Sequence, residues 1–225
     1  MEQPQPPKRV RRRPAGAPAA LTRGRIVDAA LALVADETLA GLSTRRLGQR
    51  LGCEAMSIYH HFPSKQHLID ALVDHAIASV RLAPPQPDAL QRLRDSVHAY
   101  RAMAQAMPAL FPIVAIHRLN TPTGIRFIEG MIEQVYAVVP DAGLAARHFR
   151  IVGYYLMGCC LDETSGYATG PTAADPVDDA YIAAHAPRLA SGAKVFARAQ
   201  WQRTFELGLE ALLGAIVRDG AALRR

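Results

Sequence analysis

Thr44, Arg45, Ser57, Tyr59, His60, His61 and Lys65 lie close together in the chain, and each can bond an anion or the edge of a base. The Ser57 and Tyr59 hydroxyls can donate to phosphate oxygens, and Lys65 can add a positive charge. The Arg45 guanidinium can also fork onto guanine O6 and N7, while apolar Ala55 and Met56 suit a thymine methyl. This is chemistry of recognition. The acid–base pairs and nucleophiles of an active site do not converge here. No Walker loop, GxSxG, HExxH, CxxC pair or dinucleotide GxGxxG is present, so no enzyme activity is expected.

These residues need short elements to present them. Ile26, Ala29, Ala30, Leu33 and Val34 follow the spacing of one buried helical face, starting at Thr22. Ser43 is a suitable N-cap for a short helix from Thr44 to Leu51, with Leu47 and Leu51 inward. Gly52 breaks it. A third helix is expected from about Ala55 to His61, with Ile58 and Phe62 facing the core. Because those two define the inner face, Tyr59 is left outside for a phosphate; His60 and His61 are open between a DNA contact and plain exposure. Ser64 caps a fourth helix through Val80. Residues 44–61 thus read as a helix-turn-helix with the first and fourth helices as its support.

Charge agrees with this. Of 225 residues, the first 65 hold 11 Lys and Arg against 5 Asp and Glu, and the rest are balanced at 15 and 15. A basic segment on a neutral body points to a polyanionic partner for one end only. Residues 1–20 are expected to be a disordered arm, whose cluster Lys8, Arg9, Arg11, Arg12 and Arg13 either solubilises the chain or contacts DNA. Half the residues are hydrophobic, which supports a packed core.

The stretch Gly41-Leu42-Ser43-Thr44-Arg45-Arg46-Leu47, then Gly52, then Ser57-Ile58-Tyr59-His60-His61-Phe62-Pro63-Ser64-Lys65 and Leu68 resembles the TetR family of bacterial transcriptional regulators. The resemblance covers about residues 22–75. It implies that Arg45 and the start of the third helix (Ala55, Met56) read bases. Thr44, Ser57, Tyr59, His60 and Lys65 would mostly hold the backbone, and His61 joins them as a candidate.

The remainder is read as helical throughout. Residues 83–88 hold three prolines and are taken as a linker between a DNA-binding domain (21–82) and a ligand-binding and dimerisation domain (88–220). Thr121-Pro122 starts a helix. Residues 164–187, rich in Gly, Pro, Thr and Asp, are expected to form a long loop, followed by helices over about 188–199 and 200–218. The expected fold is all-α. His117 before Thr121-Pro122, the run Leu156–Glu163 and Phe205–Leu209 resemble the C-terminal domain of the family's tetracycline-binding members, where a histidine before the proline helps hold a magnesium–drug complex. Arg81, Ala99, Met103 and Glu133 do not match the drug-contacting types, which argues against tetracycline as ligand.

Met103, His117, Glu133, Tyr154 and Met157 are the candidate ligand contacts. The methionines and tyrosines, with Met107, Met131 and Tyr155, could equally be plain core, and His117 a structural histidine. No second metal ligand stands at a convincing spacing, so no cofactor or metal is expected. Cys53, Cys159 and Cys160 do not form a disulfide framework and suggest reduced thiols in the cytoplasm. No stretch is long enough to span a membrane. The expected function is a homodimeric transcriptional regulator, a repressor released from a palindromic operator in double-stranded DNA by a small-molecule inducer. The alternative is a DNA-binding dimer without such a switch.

Overall fold

The structure is a computed structural model that describes residues 20–165 and 173–225. The basic arm therefore lies outside the described residues, as does part of the expected loop. Among the described residues there are eleven α-helices and no strand.

Helix α1 (Arg23–Glu37) starts where Thr22 accepts a bond from Arg25 N, and buries Ile26, Val27, Ala30, Leu33 and Val34. Helix α2 (Thr44–Leu51) is capped by Ser43, and α3 (Ala55–Tyr59) follows a tight turn. Ser64 caps α4 (Lys65–Ser79), which buries Leu68, Leu72, Val73, Ala76 and Ile77. Each hydroxyl satisfies a backbone N–H that the first turn leaves without a partner.

The proline-rich stretch is non-helical, as expected, but it is strapped down. Ser96 of α5 (Ala89–Ala106) accepts from Ala83 N at 2.9 Å, and Arg92 Nε donates to Ala83 O at 3.0 Å. Helices α6 (Phe111–Ile116), α7 (Pro122–Tyr136) and α8 (Ala142–Ser165) follow. α4 packs on α1 and also against α5, α6 and α7. One hydrophobic cluster runs from Ile26 through Leu72 and Phe111 to Ile216, so the two halves share a continuous core.

The expected loop over 164–187 needs correction. α8 continues to Ser165, and α9 (Asp179–His185) begins well inside it. Asp178 caps α9 by accepting from Tyr181 N at 2.7 Å, a signal that the surrounding Gly, Pro and Thr obscured. The helix expected over 188–199 is broken as well. α10 (Pro187–Gly192) gives way to two 3-10 turns before α11 (Trp201–Ala222).

α11 lies along α8 and ends under the corner between α7 and α8. Gly220 allows that approach, because a methyl group there would strike the Val138 carbonyl oxygen. Backbone cannot yield as a flexible side chain can. Gly220→Ala is therefore expected to lower stability by about 1–3 kcal/mol through overpacking, read as a lower urea midpoint at unchanged m-value. Gly214→Ala, with only the Arg218 side chain near at 3.5 Å, is the control and is expected to be neutral or better.

Candidate nucleic-acid interface and effector cavity

The turn between α2 and α3 is closed by two glycines. Gly52 takes φ 66° in the left-handed region, which glycine enters without penalty. Gly48 lets the chain return over α2: a Cβ there would sit 2.7 Å from Cys53 O. With α3 held this close, Ile58 is fully buried beside Phe62, and Met56 and Tyr59 are pushed outward at 63% and 40% exposure.

Arg45, His60 and Lys65 are exposed, and Thr44, Ala55, Ser57 and His61 are partly so. The nine sequence-predicted DNA-facing residues thus lie on α2, α3, the turn after it and the first residue of α4. His60 and His61 are not on the recognition helix as expected. The helix stops at Tyr59, where His61 N bonds to Ile58 O in a tighter turn ahead of Pro63. The His61 carbonyl accepts from Arg23, whose guanidinium lies 4.1 Å over the Phe62 ring.

The neighbouring arginines differ from Arg45. Arg46 pairs with Glu37, and Arg50 with Asp36 at 2.9 Å, so both fasten α2 to α1. Among the described residues no ion-pair partner is recorded for Arg45 or Lys65, which leaves both charges available to phosphate or base.

A cavity of about 330 Å³ lies in the C-terminal half between α5, α6, α7 and α8. His117, Tyr154 and Met157 line it, as does Met131. Two sequence-predicted contacts are corrected. Glu133 does not line it: α7 turns Phe127 and Met131 inward, and two residues further round a helix is the opposite face. Its side chain is mostly exposed and 3.5 Å from Arg92. Met103 is buried in the core, while Tyr100, a turn earlier on α5, reaches the cavity wall. Burial pushes the Tyr100 phenol well above its ordinary range, so it faces the cavity as a neutral hydroxyl.

Phe149, Arg150, Gly153 and Leu156 also form the wall. Their spacing along α8 carried a usable signal for the apolar ones and none for Arg150. Tyr155 instead points to α11, its hydroxyl donating to Phe205 O at 2.6 Å. Cys159 and Cys160 are free thiols, with sulfurs 4.0 Å apart and Cys160 fully buried.

The edge of the cavity is joined to α4 at two points. His117 ends α6, and its Nε2 lies 2.9 Å from Asp70 Oδ1. Thr121 caps α7 and donates to Asp74 Oδ1 while accepting from Gly124 N at 3.1 Å. Asp70 and Asp74 share one face of α4, four residues apart. Sequence reading passed over them. Two acids at that spacing mark a polar stripe on an apolar helix but not the residues it meets.

The family profile for "Bacterial regulatory proteins, tetR family" matches residues 26–72, which span most of α1, the helix-turn-helix and the first half of α4. The tetracycline repressor protein class A from transposon 1721 of Escherichia coli is 27% identical, across 89% of this chain and 90% of that one. A possible TetR family transcriptional regulator from Streptomyces coelicolor A3(2) superposes with TM-score 0.74 at 28% identity, covering 91% of this chain and 100% of that one.

Residues 26–72 match the TetR family, and the whole chain is similar to TetR-family regulators.

The HTH-type transcriptional repressor Rv1353c of Mycobacterium tuberculosis is 26% identical, over 84% of this chain and 77% of its own. The geometry divides the chain in the way this similarity suggests. α2 and α3 form the DNA-binding element, and α4 connects it to a cavity-bearing helical body. Among the described residues no helix is long and apolar enough to cross a membrane, and no cluster of His, Cys, Asp or Glu could hold a metal.

Proposed function

We propose that this protein is a TetR-family transcriptional repressor that leaves its operator when a small molecule enters the cavity beside His117. It acts in the cytoplasm, where its DNA is. The observation that carries this reading is the double contact of His117 and Thr121 with Asp70 and Asp74. Anything that displaces the cavity edge also displaces α4, and α4 starts at Lys65, immediately after the DNA-facing turn. A ligand shifts the equilibrium only by binding one state more tightly than the other, and these contacts are where such a difference can arise.

The functional units are a DNA-binding domain, residues 21–82, and a ligand-binding and dimerisation domain, residues 88–220. Arg45, Ala55 and Met56 read bases. Thr44, Ser57, Tyr59, His60, His61 and Lys65 hold phosphates. His117, Tyr154 and Met157 contact the ligand.

The protein works as a homodimer. One helix of five residues spans too few base pairs to define a site, whereas two copies about 34–36 Å apart read a palindrome. The second copy is seated on α8 and α11, whose outer faces expose Ile151, Leu207 and Val217. Four helices then pack as a bundle, two from each chain. Light scattering at micromolar concentration is expected to give the mass of two chains, and one duplex bound per two chains. A monomer would contradict this reading. Intact DNA binding with no ligand response would instead favour a dimer without a switch.

A further inference from the structure

We propose that the effector is an aromatic organic acid whose anionic oxygens take His117 away from Asp70. The proposal rests on the reading that this cavity is the effector site, and it names the chemistry of what enters.

Both ring nitrogens of His117 face oxygen acceptors. Nδ1 lies 3.0 Å from the Arg118 carbonyl and Nε2 lies 2.9 Å from the Asp70 carboxylate. A carbonyl cannot donate, and an ionised carboxylate cannot either. His117 is thus held at the cavity edge between two acceptors, with Nε2 facing Asp70. Asp70 Oδ1 also accepts from Gln66 at 2.8 Å, so the carboxylate keeps a partner when His117 leaves.

The rest of the wall points the same way. None of the fifteen lining residues is Asp or Glu. The charged side chain in the lining is Arg150, which donates to the Tyr154 hydroxyl and lies 5.1 Å from that ring. No carboxylate is recorded as its partner among the described residues. A cationic ligand would meet the Arg150 guanidinium and no carboxylate in the lining, whereas an anion meets complementary charge. The apolar surface comes from Tyr100, Phe127, Phe149 and the methionines Met131 and Met157, which suit a flat ring system.

Selectivity and signalling then share one event. The acid exchanges one charge-assisted bond of His117 for another, and the bond given up is one of the two that reach α4.

The test uses the full chain and matched probes: benzoic, 2-naphthoic and anthracene-2-carboxylic acids, each beside its carboxamide, by calorimetry at neutral pH. At least one acid is expected to bind about tenfold or more tightly than its amide, because only the acid forms the charge-assisted bond. In His117→Gln, checked for folding by its melting curve, acid and amide are expected to converge to within about twofold. In Asp70→Asn the acid still binds but no longer changes DNA affinity, measured with a fluorescent duplex. An amide as tight as its acid in the wild-type protein overturns the acid class and leaves the effector-site reading standing. Binding by none of the probes likewise overturns the aromatic-acid class and leaves the effector-site reading standing. Should His117→Gln fail to fold, the wild-type acid–amide comparison still decides.

Discussion

Replacing Arg101 by Met is expected to destabilise the protein by about 3–5 kcal/mol, the cost of leaving a buried charge without its partner. Arg101 on α5 and Glu163 on α8 have side chains only 6% and 5% exposed. Arg101 Nε lies 3.1 and 3.0 Å from the two Glu163 oxygens, and a second guanidinium nitrogen lies 2.7 Å from Oε1. Gln202 of α11 accepts from the same guanidinium at 2.5 Å, and the Phe205 ring lies 4.1 Å beneath it. Burial works against the Arg101 charge, but the Glu163 contacts outweigh it and hold the arginine protonated above its ordinary range. Without Arg101, Glu163 keeps, among the described residues, the bond from Gln105 at 2.8 Å.

Three helices meet at this pair, among them both proposed dimer helices, so the loss should appear in the urea midpoint and in dimer mass alike. Removing both charges, as Arg101→Met with Glu163→Leu, is expected to recover most of the stability, because no orphan charge remains. A loss below about 1 kcal/mol in the single variant would place the pair among ordinary surface ion pairs and contradict its buried role.

On DNA, Arg45→Ala and Lys65→Ala are expected to fail differently. If Arg45 forks onto a guanine, its removal costs about 1–3 kcal/mol on the operator and little on scrambled duplex, so specificity falls. If Lys65 meets a phosphate, its removal weakens both duplexes together and reduces the salt slope by about 1. Fluorescence anisotropy across a salt series separates the two. The same loss on both duplexes for Arg45→Ala would move Arg45 to the phosphate contacts. Arg46→Ala serves as comparison, since Arg46 is already engaged by Glu37 and its loss acts on the α1–α2 contact.

Local chemistry explains which features could be read without coordinates. Thr22, Ser43, Ser64 and Thr121 each cap a helix through their own hydroxyl, and that bond is decided within three residues. The apolar faces of α1 and α4 were equally visible, because periodicity is a local property. α9 was hidden because its Asp178 cap sits among residues that elsewhere make turns. Glu133 was misplaced because facing depends on which side of α7 packs, which only the tertiary structure decides. Asp70, Asp74 and Arg150 gain their meaning from residues 47 positions away or across the cavity, and no short-range pattern announces such a meeting.

The central claim is that α2 and α3 read a specific operator. The most direct measurement is anisotropy with fluorescent duplex from the region upstream of the protein's own gene, beside scrambled duplex, across a salt series. The account predicts tight binding to the first with a preference of about 10³-fold or more. Equal, weak and steeply salt-dependent binding to both would show phosphate attraction alone and contradict it.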